Sequence, residues 1–133
     1  MKNFKDKNHR IAFSEAIDKH DKNDYAFIAA VYLLTVDHRL WESARRYAER
    51  NEIRFDKIKL SDCTPPVYTL QCVAKDLYLG TEHLTLLDLA DSSLIPAKMF
   101  DLICNAIAIR RFGLSAITRA KSKDTDIDSQ PQA

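Results

Sequence analysis

The chain has 133 residues, 46% hydrophobic and 29% charged, and its twenty basic and nineteen acidic side chains leave a formal charge of +1. That length supports one core burying roughly two-thirds of the unfolded surface. The composition excludes wholesale disorder and collagen-like repeats, and the near-zero charge excludes the strongly basic surface with which most nucleic-acid binders neutralise phosphates. Only Gly80 and Gly113 supply glycine, so tight hairpins have few places to form. The expected fold class is all-α: a single compact bundle of about five to six helices over residues 1–118, followed by a disordered tail at 119–133.

In chain order, Ala12, Phe13, Ala16 and Ile17 recur at helical spacing between His9 and His20. Asp24 is placed to cap a second helix whose next ten residues, YAFIAAVYLL, carry no charge. A helix apolar all round has to be covered on most sides, so 25–36 is expected at the centre. Asp37 is the expected N-cap of a third, surface helix, with Leu40, Trp41, Ala44, Tyr47 and Ala48 as its apolar stripe and its charged face reaching Arg50. Ile53 with Phe55, and Ile58 with Leu60, fit a short extended segment near 53–60 or an irregular crossover, with no second strand evident to pair with it.

Thr64-Pro65 then reads as N-cap and first turn of a fourth helix that Gly80 can end. Thr85 and Asp88 have capping-box spacing before a short helix, LLDLADS. Pro96 opens the longest helix, 96–112, in which only Asp101 and Asn105 are polar between Met99 and Ile109. That makes it the second central, buried helix.

Three cysteines, Cys63, Cys72 and Cys104, are odd in number and widely spaced, and the opening MKNFKDKNHR lacks the apolar run of a secretory signal. Reduced thiols and a cytoplasmic location are expected. The longest apolar run is half the roughly 20 residues that a membrane span needs.

The stretch 84–103, two helices around a turn, has the spacing of a helix-turn-helix. Its turn carries Ser93-Leu94 where such motifs favour an apolar residue followed by glycine, and the second helix offers only Lys98, Asp101 and Asn105 to read bases. A plain helical corner is the competing reading. Arg110 and Arg111, with Arg119, Lys121 and Lys123, either form an anion patch or complement the helix dipole. On the third helix Glu42 with Arg46 and Arg45 with Glu49 are i,i+4 pairs on a solvated face. His9, His20, His38 and His83 form no metal-ligand spacing, although Cys63, Cys72, His83 and Cys104 could in principle converge on zinc. Cys63, in a loop, is the most plausible nucleophile but has no base nearby in sequence. Glycine-rich phosphate loops are excluded, and no cofactor is expected.

Three segments, DYAFIAAVYLLTVDHRLW, KDLYLGTEHLTLLDLAD and MFDLICNAIAIRRFG, together resemble an uncharacterised family of small proteins from Gram-positive bacteria and their phages or mobile elements. The resemblance covers most of residues 4–114. It implies a mobile-element context and, for small proteins of that kind, a regulator or inhibitor acting through a surface; it carries no activity or site residue. The leading expectation is therefore a non-enzymatic helical module that binds a host protein through Arg45, Arg46, Arg50, Arg110 and Arg111. The alternative is a helix-turn-helix DNA-binding regulator using 85–111, with Lys98, Asp101 and Asn105 reading bases. An enzyme would instead need His20, His38, His83 and Cys63 to converge in a pocket.

Overall fold

A computed structural model describes residues 3–49, 52–60 and 63–117. The expected tail at 119–133 lies outside the described residues, as does Arg50. Among those described there are six α-helices: α1 (Lys7–Ile17), α2 (Tyr25–Leu34), α3 (His38–Ala44), α4 (Pro65–Leu79), α5 (Leu86–Leu89) and α6 (Ala97–Phe112). The protein is an all-α bundle, as its composition predicts.

α2 is the central element. Every side chain from Phe27 to Val36 is buried, seven of them without any solvent exposure. α4 and α6 pack most extensively on it, and α1 covers a further side. Asp24 caps α2 as expected, its carboxylate accepting from the Phe27 N–H at 3.2 Å. α6 ends at Gly113, whose φ of 77° suits glycine and which lies against the first residue of α2. A Cβ there would sit 2.4 Å from the Tyr25 ring.

α6 is less enclosed than its composition suggests. It buries Leu102, Ile103, Ala106 and Ile109 on one side and leaves Phe100 and Ile107 exposed on another.

α3 is shorter than its apolar stripe predicts. It ends at Ala44, tightens into a 3-10 turn over Arg45–Tyr47, and enters β1 (Ala48–Glu49), which pairs antiparallel with β2 (Glu52–Ile53). The extended segment thus has a partner, contributed by residues assigned to the helix. Of the expected extended segment near 53–60 only Glu52–Ile53 is strand: Ile53 and Phe55 are buried with Arg54 exposed between them, and the backbone then tightens into a 3-10 turn over Phe55–Lys57. The Tyr47 carbonyl accepts from the Arg54 N–H at 2.8 Å, and the Tyr78 hydroxyl accepts from the Ile53 N–H at 3.1 Å. Because the backbone tightens after Ala44, Glu42 pairs with Arg45 three residues on, at 3.4 Å, in place of the expected i,i+4 pairs.

Two of the buried polar residues, His9 and Thr35, meet at Tyr32. Its hydroxyl donates to the Asn3 carbonyl and accepts from the Asn105 side-chain amide at 3.1 Å. Its own carbonyl accepts from Thr35 Oγ1 and pairs with His9 Nε2 at 2.7 Å. Since His9 Nδ1 accepts from the Lys5 N–H at 3.0 Å, Nε2 must carry the ring proton, and the imidazole is neutral. Phe4, Phe13, His9 and Tyr32 surround this network as one aromatic cluster. Burial pushes Tyr32 up to about 12, so it remains a donor.

Burial pushes His9 down from an ordinary 6.5 to about 4, against the opposing effect of its bond to the Tyr32 backbone. A depressed folded-state value means that the unfolded chain takes the proton first. Stability from this group is therefore complete above about pH 6.5 and drains away as pH falls toward 4, by roughly 3 kcal/mol in all. Urea unfolding between pH 7 and 4 should show that loss, and His9→Gln should remove it; parallel pH curves for the two proteins would refute the assignment. Tyr32→Phe should cost about 1–3 kcal/mol and speed amide exchange in residues 3–9. Unchanged exchange there would mean that the hydroxyl does not hold the N-terminal segment.

Candidate interaction surface

Residues 80–96 link α4 to α6, and polar groups more than packing fix their shape. Gly80 closes α4 in the left-handed region at φ 78°. The Asp76 carboxylate, one turn back, then gathers the next stretch. It accepts from Thr81 Oγ1 at 2.6 Å, from the His83 N–H at 2.9 Å and from the Leu84 N–H at 3.0 Å, and it pairs with His83 Nδ1 at 2.7 Å. Burial alone would raise its pKa, but these hydrogen bonds outweigh burial and hold it below the usual carboxylate range.

The predicted capping box forms, with Thr85 Oγ1 accepting from the Asp88 N–H at 3.1 Å and Asp88 Oδ2 from the Thr85 N–H at 3.0 Å. Asp91 then accepts from both the backbone and the hydroxyl of Ser93. Leu84, Leu89, Ile95 and Met99 tie the corner to the core. α5 has no fully buried residue; Leu89 packs partly on the core, while Leu86 and Leu87 are 85% and 80% exposed. Leu94 and Phe100 are also exposed.

The expected contact residues fall in two places. Arg45 and Arg46 lie exposed on the turn after α3, Arg45 paired with Glu42 and Arg46 over the Tyr47 ring. Arg110 and Arg111 are exposed on the last turn of α6, where the helix dipole favours cations. Arg110 Nε donates to the Leu77 carbonyl at 3.2 Å, and Arg111 lies over the Phe112 ring.

The expected base-reading residues do not share an open face. Lys98 is exposed, but it lines a cleft with Asp101, Phe4 and Lys5, while Asn105 is half-buried and bonded to Tyr32.

The candidate catalytic groups remain apart, and no two of His20, His38, His83 and Cys63 line the same described cavity. Cys63 borders a cavity of 160 Å³ with Asp37, Arg39 and Ser43. His20 stacks on Phe27 and pairs with Asp24 at 3.2 Å beside an open cleft of 420 Å³. His38 shares a cavity with the neutral His9, and His83 is engaged by Asp76. Burial pushes the Cys72 and Cys104 thiols up, which disfavours the nucleophilic thiolate. Among the described residues no three of His, Cys, Asp and Glu are arranged to hold a metal ion, so the zinc set of Cys63, Cys72, His83 and Cys104 does not assemble. No described helix is long and apolar enough to cross a membrane.

Sequence reasoning missed the exposed leucines. Leucine at 84, 86, 87 and 89 suits any face of a helix, and only the brevity of α5 shows that one side has nothing to pack on. A second signal was readable: from residue 76 to 97 the chain carries Asp76, Glu82, Asp88 and Asp91 but no lysine or arginine.

What the fold and surface define is a small helical bundle with an exposed apolar corner. No protein-family model, curated protein or solved structure matches the chain.

Asp76→Ala should loosen this corner locally, costing about 1–3 kcal/mol. Hydrogen exchange should show faster amide exchange at His83 and Leu84 with α2 unaffected. Full protection at those two amides would mean that the carboxylate does not build the corner.

Proposed function

We propose that this protein is a non-enzymatic protein-interaction module that contacts its partner chiefly through the α4–α6 corner. The observation that carries the reading is the exposure of Leu86 and Leu87 on a one-turn helix that only Leu89 ties to the core and that is fixed in place by Asp76 and the capping box. Adjacent leucines held rigidly in water contribute nothing to their own core, and a pre-ordered apolar anchor lowers the entropy lost on association. The exposed Arg45, Arg46, Arg110 and Arg111 are candidates for flanking contacts. The resemblance in sequence adds a context to this reading: a cytoplasmic regulator or inhibitor from a phage or mobile element, directed at a host protein.

The DNA-binding alternative draws less support. α5 is a single turn, Asn105 is engaged by Tyr32, and Asp88, Asp91 and Asp101 flank Lys98 in the sequence, where their charge opposes phosphate.

A photo-reactive amino acid replacing Leu87, in a bacterial lysate, should give a protein adduct that survives nuclease, and the same probe replacing Glu15 on α1 should not. Adducts that disappear with nuclease would favour the DNA reading, and equal labelling from both positions would rule out the corner as the contact surface.

A further inference from the structure

Residues 76–97, bounded by Lys75 and Lys98, carry four carboxylates and no lysine or arginine between those two, in a chain whose overall charge is +1. The remaining residues therefore sum to +5. This segregation coincides with the corner that exposes Leu86 and Leu87.

Three of those acids are built into the corner or its rim. Glu82 is exposed, Asp88 completes the capping box, and Asp91 holds the turn through Ser93. Hydrogen bonds from Ser93 hold the Asp91 carboxyl below the usual range, so it is charged at neutral pH. The nearest cation after the stretch, Lys98, lines a cleft with Lys5 and Asp101. Arg111 and Arg110 lie at the opposite end of α6 from Ala97, about 20 Å along the axis at 1.5 Å per residue, and Arg110 reaches the Leu77 carbonyl at the α4 end of the segment at 3.2 Å.

Resting on the interaction reading above, we propose that the corner binds a basic amphipathic segment of a partner protein, one whose apolar side chains cover Leu86 and Leu87 while flanking lysines or arginines meet Glu82, Asp88 and Asp91. The charge decides among occupants. An anionic lipid surface or a nucleic acid would be repelled by these carboxylates. A second copy of the corner would set the same carboxylates against each other across a two-fold axis, where like charges oppose association.

The probe is a fluorescent amphipathic leucine–lysine helical peptide, compared with a leucine–glutamate peptide of the same apolar pattern, each titrated into the full chain by anisotropy. Only the lysine peptide should bind, and more weakly as salt rises. Leu86→Ser with Leu87→Ser should weaken it roughly tenfold, and Glu82→Gln with Asp88→Asn and Asp91→Asn to a similar degree. The amide side chains keep the acceptor oxygens that hold Thr85 and Ser93, and the salt series on the unaltered protein tests the charge without any substitution.

Equal binding of both peptides, lost in the leucine variant, would overturn the charge-selected partner and leave the interaction surface standing. Lysine-peptide binding that ignores the leucine substitutions, or no binding at all, would also overturn the proposal. So would sedimentation showing a dimer of the unaltered protein that the leucine variant dissociates, since the corner would then be closed by a second copy.

Discussion

The rest of the structure depends on enclosing α2. Ten consecutive residues without a charge have to leave water together, and no single neighbouring helix can cover all sides of a cylinder. α1, α4 and α6 are packed around it for that reason. The enclosure creates a secondary problem, because the Tyr32 hydroxyl is carried into the same dry interior and an unmade hydrogen bond there costs about 1–3 kcal/mol. Asn3 and Asn105 meet the hydroxyl, while His9 and Thr35 meet the carbonyl of the same residue. His9 serves only when neutral, so the polar network ties the integrity of the core to the protonation state of one imidazole.

Once α2 is covered, the covering helices have no obligation on their outer sides. α6 shows this most clearly, with Ile109 wholly buried and Phe100 exposed on the opposite side of the helix. The corner before it goes further, since its shape comes from Asp76, Thr85, Asp88 and Asp91 and its leucines are released from packing. Polar groups thus perform the structural task there and apolar groups face the solvent, the reverse of the arrangement around α2. A surface built in this way holds its form without a partner.

Much of the fold was legible in the sequence. The charge-free run announced the central helix, and Asp24, the Thr85–Asp88 pair, Gly80 and Gly113 marked helix ends that the structure shows. The end of α3 was not legible, because its apolar stripe continues through Tyr47 and Ala48, and strands of two residues are too short to reveal a period. Thr64 and Asp37 stand at cap positions without making a side-chain cap bond, so residue type placed the boundary but not the contact. The Tyr32 network joins residues separated by 23, 29 and 73 positions, and no local pattern encodes such pairings. The arginines were visible as charge, whereas Leu86 and Leu87 were hidden as ordinary helix formers; their role depends on what surrounds α5.

The Asn3 side chain reaches the Ile117 carbonyl at 3.4 Å, closing a span of 114 positions, while the Asn3 carbonyl is held by Tyr32. The described fold is therefore nearly a ring in space, with its first and last segments clasped over one side of α2. Asn3 touches both Tyr32 and the segment after α6, so loosening of the first described residues removes a contact from the last. A graft or cut at one end is felt by the segment that is most distant in sequence.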